Sequence, residues 1–204
     1  MTAYYNEIDP FAAQWLRNLI AAGHIAPGDV DERSIAEVSA DDLRGYVQCH
    51  FFAGIGVWSH ALRRAGWEDD RPVWTGSCPC QPFSAAGKQG GFDDARHLWP
   101  VWYDLIAECR PPVVVGEQVA SALDWLDLVQ ADMETADYAF GSSDLCAAGF
   151  GGAHIRQRAG GDGGKRIGQV ALGQCLRQRF GTDIVWFYCS AHIETFTRFI
   201  RRLA

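Results

Sequence analysis

The run Ser77-Cys78-Pro79-Cys80-Gln81-Pro82-Phe83-Ser84 sets Cys80 on a proline-flanked turn, just after a strand-like segment, Pro72–Gly76. A cysteine at the carboxyl end of a strand is placed as a nucleophile rather than as a core residue. The thiolate is the reacting form, so such a residue needs a polar, partly exposed pocket. Cys49, Cys109 and Cys146 stand in apolar stretches and read as buried structural residues. The stretch 77–97 is polar, contains glycine and is far longer than an ordinary connector, a length that itself points to function.

Three further groups could do chemistry. Phe51-Phe52-Ala53-Gly54-Ile55-Gly56 ends one element and opens another. Glycines at such a turn let the backbone approach a nucleoside-type ligand at the carboxyl edge of a sheet, although glycine turns after strands are common and carry little weight alone. Glu117 follows the apolar run Val113–Gly116, and carboxylates at strand ends are frequent active-site groups. Arg156 and Arg158 could orient an anionic or carbonyl group, or simply be a solvated pair. Glu7 and Asp29, taken singly, read as surface acids. Trp58, Trp67, Trp74, Trp99, Trp102 and Trp125 read as core or interface residues rather than base-stacking platforms.

These residues need a scaffold. Ala3–Ile8 is short and apolar; Phe11, Trp15, Leu16, Leu19 and Ile20 then recur at helical spacing over 10–22. A brief strand is expected near Ile25, a strong strand over Tyr46–Ala53, a helix over Trp58–Ala65 and a strand over Pro72–Gly76. A helix over Trp99–Cys109, a strand from Val113, a helix over Leu123–Ala136 and a strand pair or strand-plus-turn over Tyr138–Ala147 follow. The C-terminal part offers a strand over Thr182–Ser190 and a last helix carrying Ile193, Phe196, Phe199, Ile200 and Leu203. Alternating strands and helices predict an α/β fold with a mostly parallel sheet and helices on both faces, in one domain of 204 residues.

Bulk properties narrow the class. With 48% hydrophobic and 21% charged residues the chain has the composition of a soluble globular protein, and no apolar run approaches the ~20 residues that span a bilayer. The odd number of cysteines and the absence of paired CxxC spacing favour reduced thiols in a cytoplasm and argue against a zinc site. The net charge of −7 does not advertise a nucleic-acid binder. Arg156, Arg158, Lys165, Arg166, Arg177, Arg179, Arg198, Arg201 and Arg202 nevertheless make the last third basic, and any phosphate contact belongs there.

Residues 76–98 resemble the catalytic loop of the DNA (cytosine-5-)-methyltransferases, which runs from a Pro-Cys-Gln nucleophile through a glycine-containing portion. Phe52 to Gly56 resembles that family's first cofactor motif. Val114-Val115-Gly116-Glu117-Gln118-Val119 resembles its Glu-Asn-Val motif with Gln118 in place of asparagine, and the stretch from Asp137 ends in a similar arginine pair, Arg156 and Arg158. The resemblance covers roughly residues 4–158 and implies a Rossmann-like methyltransferase fold using S-adenosyl-L-methionine. It implies Cys80 as nucleophile toward C6 of a flipped cytosine in duplex DNA, Glu117 as hydrogen-bond donor to N3, and Arg156 and Arg158 as orienting groups. Pro79, Gln81 and Ser84 would lie against the substrate. Phe52, Gly54, Gly56 and Leu98 would contribute to the cofactor pocket, with the bacterial or phage cytoplasm as the setting.

The motif order departs from the family. Only 23 residues separate Gly56 from Cys80, too few for the two strands and two helices that normally intervene. The missing pieces resemble Tyr5-Asn6-Glu7-Ile8-Asp9-Pro10-Phe11-Ala12 and Pro27-Gly28-Asp29-Val30 at the N-terminus. A circularly rearranged order is therefore expected, with Glu7 accepting from ribose hydroxyls and Asp29 from the adenine amino group. It requires Glu7 and Asp29 to lie near Gly54. It also requires the helix after Gly56 either to change face or to make an exceptional crossover.

Residues 159–204 match none of the family's later motifs, and no base-reading module is visible. Methylation with little sequence selectivity, recognition through a separate subunit, and a catalytically silent binding protein all remain open, as does an RNA cytosine methyltransferase.

Overall fold

The computed structural model describes residues 2–79, 98–118, 123–145 and 183–189. The first strand, β1 (Ala3–Asn6), leads into α1 (Pro10–Ala21). Asp9 caps α1 by accepting the Ala12 amide hydrogen at 2.8 Å, and Pro10 occupies the first helical position, where its missing N–H costs nothing. Strand β2 (Gly28–Asp31) is followed by two 3-10 turns, Ile35–Glu37 and Ala40–Leu43. Then come β3 (Gln48–Phe51), α2 (Val57–Ala65), β4 (Val73–Gly76), α3 (Trp99–Cys109), β5 (Val113–Gln118), α4 (Leu123–Thr135), β6 (Ala139–Leu145) and β7 (Asp183–Cys189). One expectation shifts: Ile25 is a buried loop residue rather than part of a strand. Of the expected strand pair or strand-plus-turn over Tyr138–Ala147, the described residues hold one strand, β6.

The seven strands form one sheet in the order β2-β1-β3-β4-β5-β7-β6, and every neighbouring pair is parallel. Its register aligns Asp31, Asn6, Phe51, Gly76 and Gly116 in one row across five strands. The next residues along three of those strands are Glu7, Phe52 and Glu117. Three of the residues singled out in the sequence therefore share one row at the carboxyl edge.

Side chains alternate between the faces. On one face Tyr4, Cys49, Phe51, Trp74 and Val114 form a core with Trp99, Trp102, Leu105 and Ile106 of α3, Trp125, Val129 and Met133 of α4, and Ile35, Val38 and Leu43 of the two turns. On the other, Ala3 and Tyr5 pack with Leu16 of α1, Ile25, Ala26 and Ala53. Helix α2 lies on this second face. Its Ser59 hydroxyl is 2.9 Å from the Tyr5 hydroxyl and accepts the Ala26 amide hydrogen at 3.0 Å.

That placement decides the topological question. The chain steps from β1 outward to β2 with α1 on the Tyr5 face, and from β4 to β5 in the opposite direction with α3 on the Phe51 face. Both connections have the same hand. The step from β3 to β4 runs in the direction of β4 to β5, yet α2 stays on the Tyr5 face, so this crossover has the opposite hand. Parallel crossovers are right-handed in about 98% of cases. The helix has kept its face, and the β3–α2–β4 connection is the exception.

Candidate functional site

The glycine turn sits where β3 ends. Phe52 adopts φ 51°, Gly54 φ 53° and Gly56 φ 80°. A left-handed non-glycine residue is strained, and such strain concentrates at functional sites. Phe52 is held there by packing on the tryptophan-rich core, its ring edge-on to Trp102 at 6.1 Å between centroids. The turn is also tied to β1, because Ala53 N donates to Asn6 O at 3.0 Å.

Glu7 closes the same turn from the neighbouring strand. Its Oε2 accepts the Gly54 amide hydrogen at 2.6 Å and its Oε1 the Asp9 amide hydrogen at 2.9 Å. Each carboxylate oxygen has a second lone pair, so the group can still accept from a ligand hydroxyl. Among the described residues, a Cβ placed on Gly54 would meet nothing within 4 Å, which leaves space over the turn. Ile8 and Ile55, the chain neighbours of Glu7 and Gly54, have exposed apolar side chains.

Asp29 lies elsewhere. It is the second residue of β2, opposite Tyr4, two residues short of the carboxyl edge and on the far side of β1 from the glycine turn. Its Oδ2 accepts the Tyr46 hydroxyl at 2.9 Å, and burial together with this bond pushes the Tyr46 phenol up to about 12. The residue at the edge is Asp31. Burial would raise its pKa, but hydrogen bonds from the Arg33 side chain, the Arg33 amide and the Tyr4 hydroxyl hold the carboxyl below its ordinary value. Arg33 is shared with Asp42 at 3.2 Å.

Strand β4 leads into the segment Ser77–Pro79. Cys78 is fully buried, which pushes its thiol well above the ordinary value and keeps it protonated. Pro79 is half-buried. Cys80, Gln81, Ser84, Arg156 and Arg158 lie outside the described residues. Glu117, half-buried, is one residue beyond the Gly76–Gly116 pair of β4 and β5, beside the start of the Ser77–Pro79 segment. Leu98 precedes α3, where its carbonyl accepts from Trp102 N at 3.2 Å, and packs on the tryptophan-rich core.

The structure thus brings Glu7, Phe52, Gly54 and Glu117 to one sheet edge and leaves Asp29 below it. Sequence reading missed Asp31, Ile8 and Ile55. Asp31 carried a signal, because Asp29 and Asp31 are two apart and share a face, so the strand's length alone decides which reaches the edge.

A parallel sheet covered by helices on both faces, with a glycine turn and acids gathered along its carboxyl edge, is a Rossmann-like methyltransferase fold. Residues 70–160 match the family of C-5 cytosine-specific DNA methylases, so that part of the chain is similar to the DNA (cytosine-5-)-methyltransferases. It is 32% identical over 90 residues to the type II methyltransferase M.AplI of Arthrospira platensis, covering 42% of this chain and 26% of that protein. It is 32% identical over 97 residues to M.HhaI of Haemophilus parahaemolyticus (44% and 29%), and 47% over 56 residues to M.NgoMIV of Neisseria gonorrhoeae (28% and 18%). The matched stretches span less than a third of these relatives. No solved structure gives a significant match.

Proposed function

We propose that the chain transfers the methyl group of S-adenosyl-L-methionine to C5 of cytosine in DNA, by way of a covalent bond between Cys80 and C6. The observation that carries this reading is the meeting of Glu7 with Gly54 at the edge where β4 runs into the nucleophile segment and Glu117 ends β5. The family match begins at residue 70, after the glycine turn. The cofactor half of the pocket is thus read from geometry, and the strand order together with the Glu7–Gly54 bond supports a rearranged motif order.

The pocket suits the cofactor. Glu7 retains lone pairs for ribose hydroxyls, the space over Gly54 admits the methionine portion, and Phe52, Ile8 and Ile55 offer apolar surface to an adenine. Gly56 and Leu98 complete the assignment, with Asp29 or the neighbouring Asp31 as the acid on the adenine side. When bound, the cofactor supplies an electrophilic methyl group.

Cytosine C5 is a weak nucleophile until C6 is attacked. The Cys80 thiolate adds to C6 of a cytosine turned out of the duplex. Glu117 donates a hydrogen bond to N3 and offsets the charge developing on the ring. Arg156 and Arg158 orient the base carbonyl and nearby phosphates, while Pro79, Gln81 and Ser84 shape the substrate side. After C5 has taken the methyl group, it loses its proton and the electron pair expels the Cys80 thiolate.

A separate recognition subunit fits the charge distribution. Most acidic side chains precede residue 146, whereas the basic residues from Arg156 onward are all in the last third. Phosphate attraction governs DNA affinity, so an acidic sheet domain gains from a basic partner. The chain is assigned to the cytoplasm as one methyltransferase-like domain, with residues 1–158 as the family-like part and 159–204 atypical.

The deciding experiment incubates pure folded protein with tritiated cofactor and duplex DNA, single-stranded DNA or transfer RNA. Label in duplex DNA, with covalent trapping on a 5-fluorocytosine duplex that Cys80→Ala abolishes and Cys78→Ala retains, is the expected result. Label in none of the three defeats the enzyme reading.

A further inference from the structure

Trp58 is the second residue of α2, 6% exposed, and its Nε1–H donates to Ser77 Oγ at 3.0 Å. The two residues belong to different halves of the site. Trp58 lies two positions after Gly56, in the first turn of the helix that the glycine turn starts. Ser77 is the first residue past β4, one position beyond the Gly76–Gly116 pair and three before Cys80.

We propose that the Trp58–Ser77 hydrogen bond is a strut through which the glycine turn positions the nucleophile segment, making Trp58 and Ser77 positioning residues for the methyl transfer proposed above, on which this inference rests. The opposite-handed crossover makes such a strut possible. Because α2 joins β3 directly to β4, the cofactor turn and the nucleophile segment are consecutive parts of one unit. A second bridge lies below it on the Tyr5 face, where His50 Nδ1 is 2.8 Å from Thr75 Oγ1. That bridge fixes the strands. The Trp58–Ser77 bond acts past the strand ends, where the backbone pairing of β3 and β4 has stopped at Phe51 and Gly76. A shift of the turn on ligand binding moves the start of α2, and the indole N–H carries the shift to Ser77.

The test uses the full chain. Trp58→Phe keeps an aromatic ring and removes the N–H; Ser77→Ala removes the acceptor, and Ser77→Thr keeps it. Cofactor affinity is measured by calorimetry, and the rate of covalent complex formation on a 5-fluorocytosine duplex is measured at saturating cofactor. Trp58→Phe and Ser77→Ala should each slow trapping about tenfold while changing cofactor affinity by less than about twofold. The double variant should be no slower than either single one, and Ser77→Thr should recover most of the rate. Wild-type rates in both single variants, additive losses, or equal losses of affinity and rate would each overturn the strut.

If the wild-type chain traps no DNA, the methylation reading fails separately. The strut is then read from alkylation of Cys80 by iodoacetamide, followed by peptide mass, with and without S-adenosyl-L-methionine. A cofactor-dependent change in rate that disappears in Trp58→Phe upholds it, and a rate indifferent to cofactor or to the substitution overturns it.

Discussion

The Glu7 carboxylate accepts the Gly54 amide hydrogen at 2.6 Å across 47 positions of sequence, joining the end of β1 to the turn after β3. A charge-assisted bond to a part-buried amide contributes roughly 1.5–3 kcal/mol. Glu7→Ala should therefore lower unfolding free energy by about 1–2 kcal/mol and weaken S-adenosyl-L-methionine binding at least about tenfold. Glu7→Gln keeps a carbonyl for Gly54 but no charge, so it should recover more of the stability than of the affinity. Urea denaturation and calorimetry read the two quantities. Wild-type affinity in Glu7→Ala would remove Glu7 from the pocket.

Gly54 and Gly56 should separate binding from stability. Both have positive φ, where an alanine costs about 1–2 kcal/mol. At Gly54 the added methyl enters open space, so Gly54→Ala should lose little beyond that cost yet obstruct the cofactor. At Gly56 the methyl would meet Leu16 at 3.1 Å and Leu19 at 3.2 Å, which adds packing strain inside the α1–α2 contact. Gly56→Ala should be the less stable protein by about 1 kcal/mol or more. Equal thermal midpoints, with cofactor binding intact in Gly54→Ala, would contradict the assignment of the open side to the ligand.

Gly76 carries the Trp102 ring flush against β4. A Cβ there would lie 2.4 Å from Trp102 Cη2, a distance that real carbon atoms do not tolerate. Gly76→Ala should cost about 1–3 kcal/mol through displacement of the indole. Because Trp102 also packs on Phe51 and Phe52, the displacement reaches the glycine turn. Trp102→Leu in the Gly76→Ala background should cost less than it does alone. Urea denaturation of the four proteins of this cycle checks it, and simple additivity would rule out the contact.

Much of this was legible in the sequence because local signals and fold agreed. The helical spacing of Phe11, Trp15, Leu16, Leu19 and Ile20 announced α1, Gly54 and Gly56 announced the turn, and the apolar run at Val113 announced a buried strand. The shortness of the 57–79 segment also forced the expectation that Glu7 and Asp29 lie near Gly54, and the Glu7–Gly54 bond meets that nearness at Glu7. Asp29 was harder, because face alternation cannot tell which of two acids two residues apart ends a strand. The hand of the β3–α2–β4 crossover could not be read at all. It depends on which face α2 covers, and that follows from Ser59 meeting Tyr5 and Ala26, residues more than thirty positions away.

His50 offers a prediction of pH dependence. Its ring is fully buried against Tyr5, with centroids 4.9 Å apart, and among the described residues its Nε2 has no hydrogen-bond partner. Burial lowers its pKa from 6.5 to about 3. The native state therefore stays neutral where the unfolded chain takes up a proton. Stability from this residue is fully present above pH 6.5 and is lost as pH falls from there toward 3. Between pH 7.5 and 5.5 the loss should be about 1.4 kcal/mol for a reference pKa near 6.5. His50→Gln, which keeps a polar side chain near Thr75 but does not titrate, should flatten the difference in urea denaturation between the two pH values. A slope unchanged in His50→Gln would mean that another group governs the acid response.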